Sequence, residues 1–127
     1  MNKLQKISCL ISLILLTASC YNQQINIAEL LDKKEPIKLT KNIQTIRIIE
    51  PLSEKWNKFI DFAEQNKNGW KPSPVTYLPE ITVSQKEFRL FYWIDNNFIV
   101  INFIDKNGNS KQFVKNVKKG ALNFLVE

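Results

Sequence analysis

Residues 88–104 (FRLFYWIDNNFIVINFI) carry the clearest strand pattern in the sequence. They form two runs rich in aromatic and β-branched residues, which favour strands. Between the runs lies Asn96-Asn97, and asparagine tolerates the positive φ that tight hairpin turns require. The stretch therefore predicts two antiparallel strands joined by a two-residue turn.

The register of this hairpin divides its side chains between two faces. With a two-residue loop, Ile94 lies opposite Ile99, and directly opposed residues share a face that alternate residues repeat. One face then carries six apolar residues and is predicted to be the core: Leu90, Tyr92, Ile94, Ile99, Ile101 and Phe103. The other face, called the outer face, interleaves aromatic and polar residues: Arg89, Phe91, Trp93 and Asp95 against Phe98, Val100, Asn102 and Ile104.

The flanking sequence extends the hairpin into a sheet and adds a helix. Further strands are predicted at residues 43–50, 81–84 and 111–117, and residues 121–126 form a short helix or a final strand. Ser53 is predicted to cap a helix that ends near Asn66. Its apolar face follows helical spacing: Trp56, Phe59, Ile60 and Ala63. The predicted fold class is α+β, an antiparallel β-meander of about four to five strands with one long helix packed on one face.

The N-terminal residues have the composition of an export signal. Lys3 and Lys6 give a positive start, residues 7–16 (ISCLISLILL) are apolar, and residues 17–19 (TAS) are small. A membrane-spanning helix needs roughly 20 apolar residues, so this run is too short to cross a bilayer. Residues 1–19 are therefore predicted to be a cleaved signal peptide.

Residues 16–20 (LTASC) resemble the lipobox of bacterial lipoproteins, with Thr17 where an aliphatic residue is usual. The resemblance implies that the signal is removed and that Cys20 carries acyl chains such as palmitate, which anchor the mature chain to a membrane. The alternative is an ordinary signal peptide followed by an incidental cysteine. Because Cys9 lies inside the signal, Cys20 is the single cysteine of the mature chain and no internal disulfide is expected.

Tyr21 follows the predicted lipidation site, where enteric-type bacteria place aspartate to retain a lipoprotein at the inner membrane. The periplasmic face of the outer membrane is therefore the favoured location. Residues 20–42 are polar with scattered aliphatics and are predicted to be Cys20 and a tether, with at most one or two helical turns at residues 27–34. Residues 43–127 are then one α+β domain.

Composition argues against several classes of function. The formal net charge is +6, but 16 of the 18 basic residues are lysines. Abundant Lys, Asn and Ile indicate AT-rich coding, and export separates the chain from nucleic acid. The sequence has no histidine and no metal-type cluster of ligands. Neither a catalytic set nor a metal or other cofactor is predicted, and the chain is not expected to be an enzyme.

Candidate binding residues lie on the outer face and in the proline-rich segment, residues 70–79 (WKPSPVTYLP). Arginine and tryptophan are prominent in binding hot spots, which makes Arg89, Phe91 and Trp93 the predicted partner contacts. The alternative is that the tether or the proline-rich segment folds over this face. Trp70 is either a rigid contact for the partner or folds back over the end of the core.

The small size, lipid anchor, lack of catalytic groups and lysine-rich surface are similar to those of small periplasmic immunity and inhibitor lipoproteins. This likeness of general design implies a protein partner in the cell envelope, such as a toxin or hydrolase that the chain neutralises. The alternative is a structural or assembly accessory that binds an envelope complex or a cell-wall component.

Overall fold

The computed structural model describes residues 22–127, so the predicted signal peptide and Cys20 lie outside the described residues. The elements in chain order are helix α1 (Ile27–Leu30), strands β1 (Ile37–Lys41) and β2 (Gln44–Ile49), helix α2 (Glu54–Gln65), strands β3 (Lys71–Pro72), β4 (Ile81–Gln85), β5 (Phe88–Tyr92), β6 (Phe98–Ile104) and β7 (Ser110–Asn116), and a 3-10 helix (Asn123–Leu125).

The strands form one seven-stranded sheet in the order β2-β1-β4-β5-β6-β7-β3. Each pair of neighbours is antiparallel. The α+β class is confirmed, but the predicted four to five strands are too few. Two strands were missed: β1 lies in the predicted tether, and β3 is only two residues long and includes Pro72, which cannot donate to a strand ladder.

The predicted tether belongs to the domain from Gln23 onward, and its assignment as a tether is wrong for these residues. Strand β1 lies between β2 and β4, with Ile37 and Leu39 buried on the core side. Ile27 and Leu31, in and directly after α1, are also buried. The apolar residues of β1 alternate with polar ones, as a half-buried strand requires, but the polar composition around them obscured this pattern.

The β5–β6 hairpin has a different register from the predicted one. Leu90 lies opposite Ile101, not Phe103, because the main-chain N–H of Asn96 donates to the carbonyl of Trp93 at 3.2 Å and closes a longer turn. The displacement is two residues, and since side chains alternate with a period of two, every residue keeps its predicted face. Four of the predicted core residues are fully buried: Leu90, Tyr92, Ile99 and Ile101. The other two, Ile94 and Phe103, are partly buried against the core.

Helix α2 begins and ends where the sequence predicts. Ser53 Oγ accepts a hydrogen bond from the main-chain N–H of Trp56 at 3.3 Å, which caps the first turn. Its buried residues are Trp56, Phe59, Phe62 and Ala63. Phe62 was not predicted, and the predicted Ile60 is only partly buried. No helix among residues 22–127 is long and apolar enough to span a membrane.

A single row of strand partners shows how the sheet supplies its half of the core. Leu39, Val83, Leu90, Ile101 and Phe113 are successive partners from β1 to β7, and all five are buried. Their shared face packs with α1 and α2 in one hydrophobic cluster. The opposite face of the sheet is therefore free of both helices.

Candidate protein-binding face

The outer face carries two parallel rows of side chains, one polar and one largely apolar. Residues two apart on a strand share a face, so each row can be read from the strand register. Successive partners in the polar row are Lys38, Ser84, Arg89, Asn102 and Gln112. Successive partners in the apolar row are Thr40, Thr82, Phe91, Val100 and Val114.

The proline-rich segment crosses one end of the outer face, where Gln112 holds it. Gln112 Nε2 donates to the carbonyls of Ser73 at 2.8 Å and of Val75 at 2.7 Å. The main-chain N–H of Ser73 donates back to the Gln112 carbonyl at 3.1 Å. Side-chain and main-chain bonds together attach this segment to strand β7.

An aromatic cluster fills the space beneath the segment. The ring centroids of Trp93 and Phe98 are 5.0 Å apart, and Tyr77 lies 6.0 Å from Trp93 and 6.1 Å from Phe98. Trp93 Nε1 donates to the carbonyl of Leu78 at 2.9 Å. Val100, on the same face, is fully buried although it lies outside the hydrophobic core cluster. The outer face was predicted to be either exposed to a partner or covered by another segment. At this end the proline-rich segment covers it.

Trp70 does not lie with the other predicted contact residues. Its side chain is 0 % exposed, and its Nε1 donates to the carbonyl of Asn66 at 2.9 Å, just beyond the end of α2. A fully buried indole cannot contact a partner, so the assignment of Trp70 as a contact residue is wrong. The large apolar ring gains more from burial in the core, where the helix end offers its N–H an acceptor.

Arg89 and Phe91 lie beyond the covered end of the outer face. Arg89 is exposed, and its Nη1 donates to the carbonyls of Lys86 at 3.0 Å and of Phe88 at 3.3 Å. Within the described part of the chain, neither Arg89 nor Lys38, which lies two strands away in the polar row, forms an ion pair with a carboxylate. The half-buried Phe91 lines a cleft of about 550 Å³ between the sheet and the proline-rich segment, together with Asn102 and Gln112.

Two exposed apolar residues next to this face were not predicted from the sequence. Ile43 is 99 % exposed and Leu78 is 90 % exposed, and both line a depression of about 490 Å³ with Thr82. Ile43 has a φ of 71° in the turn between β1 and β2, a conformation that β-branched residues rarely adopt. The asparagine before Ile43 is the one turn signal in the sequence, and no pattern marks Leu78.

The polar row of the outer face carries charged and amide side chains. The guanidinium of Arg89 and the ammonium of Lys38 can pair with carboxylates, and the amide of Asn102 can hydrogen-bond to a main chain. Residues 22–127 contain no cluster of three or more potential metal ligands.

Two titratable groups away from the outer face have shifted pKa values. The hydrogen bond from Lys86 lowers the pKa of Asp32, and burial raises the pKa of Tyr92. Tyr92 lies on the core face, where its hydroxyl donates to Asn123 Oδ1.

Trp93→Ala is expected to lower the free energy of unfolding by about 1 to 2 kcal/mol, because two aromatic contacts and one hydrogen bond are lost. Trp93→Phe is the matched control, since it keeps the ring contacts and loses only the donor to Leu78. Urea unfolding of both variants measures the effect. Unchanged stability of Trp93→Ala would show that the proline-rich segment does not pack on this face.

The chain has no match among protein-family models, curated proteins or solved structures. Its function is therefore inferred from its residues and their geometry.

Proposed function

We propose that this chain is a lipid-anchored protein of the cell envelope that binds another protein through the outer face, as an immunity or inhibitor protein binds a toxin or hydrolase. The observation that carries the proposal is the exposed pair Lys38 and Arg89, which forms no ion pair with a carboxylate in residues 22–127. Phe91 in the adjacent row supplies an aromatic contact. Arginine beside an aromatic residue is a combination typical of binding hot spots.

The charge of this face defines the kind of partner that suits it. Cations that lack an internal carboxylate are available to pair with carboxylates of another molecule, and complementary charge accelerates association. The partner is therefore proposed to present an acidic surface. Asn102 adds a hydrogen-bonding amide in the same row as Arg89.

Arg89→Ala is expected to weaken binding by about 2 kcal/mol or more, roughly a 30-fold loss of affinity. Stability should change little because the side chain is exposed. The test is a pull-down from envelope extract and with co-expressed products of neighbouring genes, using the soluble chain without its lipid. Lys106→Ala, which removes the same charge from the exposed β6–β7 turn, is the control and should bind normally.

Failure of the parent chain to enrich any protein, combined with binding to cell-wall glycan, would contradict the proposal and favour the accessory function. Equal losses in Arg89→Ala and Lys106→Ala would show that net charge, not the outer face, determines binding.

Cys20→Ala is expected to abolish lipidation and to move the chain out of the detergent phase. The reason is that the thiol is the proposed attachment point for the acyl chains, which supply the membrane affinity. Detergent phase partition and palmitate labelling of cells check this result. Cys9→Ala is the control and should remain lipidated. A Cys20→Ala chain that still partitions with membranes as the parent does would contradict the anchor.

A further inference from the structure

The described chain begins in direct contact with the loop between α2 and β3. The main-chain N–H of Gln23 donates to the carbonyl of Trp70 at 2.8 Å, and the N–H of Trp70 donates to the carbonyl of Gln23 at 3.2 Å. The N–H of Ile25 donates to the carbonyl of Lys67 at 2.8 Å. Residues 23–25 are thus attached to the domain at this loop, and only two residues separate Cys20 from Gln23.

The same edge of the sheet is strongly basic. Residues 66–71 and 114–119 contain five lysines and no acidic residue: Lys67, Lys71, Lys115, Lys118 and Lys119. The two segments are adjacent because Lys71 pairs with Val114 across β3 and β7 and Lys115 Nζ donates to the carbonyl of Asn68 at 2.5 Å. We call these two segments the basic edge. Among the described residues, only Lys67 of this group forms an ion pair with a carboxylate, that of Glu64 at 3.2 Å.

Chain length places the basic edge close to any lipid carried by Cys20. Three residue steps span at most about 11 Å when fully extended. Electrostatic attraction in physiological salt acts over about 8 Å. Gln23 therefore lies at most about 11 Å from Cys20, less than one and a half screening lengths, and the lysines beside it are within reach of phosphate headgroups.

We propose that the basic edge faces the membrane and contacts anionic phospholipid headgroups, an inference that rests on the proposed lipidation of Cys20. Strand β3 is the edge strand on this side and β2 is the edge strand on the other. Seven strands spaced about 4.8 Å apart extend the sheet roughly 30 Å from the bilayer. Arg89, in the central strand of the sheet order, is held clear of the membrane and remains accessible to a partner.

The test compares the full lipidated chain in two kinds of vesicle, phosphatidylethanolamine with phosphatidylglycerol and phosphatidylcholine alone. Amide hydrogen exchange of residues 66–71 and 114–119 is expected to slow by about fivefold with the anionic lipid. One lysine near an anionic surface shifts the equilibrium toward headgroup contact by about this factor. Exchange of β2 should be equal in both vesicles. High salt should remove the protection because it screens the headgroup charge.

Two charge-matched variants make the test specific. Replacing Lys71, Lys118 and Lys119 with Gln removes three exposed charges from the basic edge and should abolish the protection. Replacing Lys34, Lys41 and Lys106 with Gln removes three exposed charges elsewhere and should leave it intact. Equal loss of protection in both variants would overturn the proposal, as would protection of β2 instead of the basic edge.

The mass of the N-terminal peptide from the same sample separates this inference from the anchor on which it rests. Lipid on Cys20 together with equal exchange in both vesicles would overturn the membrane-facing edge and leave the anchor standing. An unmodified Cys20 would contradict the anchor itself, and the membrane-facing edge would be withdrawn with it.

Discussion

Replacing Phe59 with Ala is expected to lower the free energy of unfolding by about 3 to 5 kcal/mol. Phe59 is 0 % exposed on the core side of α2, and its ring stacks on Phe62 with centroids 6.4 Å apart. The substitution removes buried apolar surface and leaves a cavity that a packed interior closes only in part. The loss is a large share of the roughly 5 to 15 kcal/mol that stabilises a domain. Trp56, which is also buried, should behave similarly.

Urea unfolding followed by circular dichroism measures this effect. Asn57→Ala, on the exposed side of the same helix, is the control and should change stability by less than about 0.5 kcal/mol. A loss below about 1 kcal/mol for Phe59→Ala would show that α2 does not pack on the sheet as described.

Replacing Gln85 with Leu is expected to cost about 3 kcal/mol, because it leaves main-chain groups of another segment without partners. Gln85 is the buried polar residue of β4, with 6 % of its surface exposed. Its Nε2 donates to the carbonyls of Asp32 at 2.8 Å and Glu35 at 2.9 Å, and its Oε1 accepts from the N–H of Asp32 at 2.6 Å. These bonds fix the connection between α1 and β1 against the sheet.

Lys86→Ala is the matched control for Gln85→Leu. Lys86 contacts the same connection through an ion pair with Asp32 at 2.7 Å, but its side chain is largely exposed. Exposed ion pairs contribute about 0 to 1 kcal/mol. The two unfolding free energies should therefore differ by about 2 kcal/mol or more. Equal values would show that water replaces the bonds of Gln85 and that the connection is not fixed by them.

Local patterns in the sequence are sufficient to predict helix α2 and to assign the side chains of the β5–β6 hairpin to two faces. Ser53 and the helical spacing of Trp56 and Phe59 mark the helix directly. The two-residue loop that Asn96-Asn97 predicts is wrong, because the observed bond from Asn96 to Trp93 makes the turn longer. The predicted faces are nevertheless correct, because a shift of two residues preserves the alternation of side chains.

The remaining features depend on contacts between residues far apart in the chain. Arg89, Phe91 and Trp93 share one face as predicted, but the covering of Trp93 depends on the amide of Gln112, which no local pattern marks. The polar groups of the buried Trp70 are satisfied by Asn66, which accepts from its side chain, and by Gln23, which pairs with its main chain. Pairing of this kind appears only in the folded chain.

Cross-linking in cells tests whether the outer face binds an envelope protein. A photo-reactive amino acid in place of Ser84 would lie between Lys38 and Arg89 in the polar row. The same group in place of Asn57, on the exposed side of α2, is the control. We expect one discrete cross-linked envelope protein from position 84 and none from position 57. No cross-link from position 84, or the same product from both positions, would contradict it.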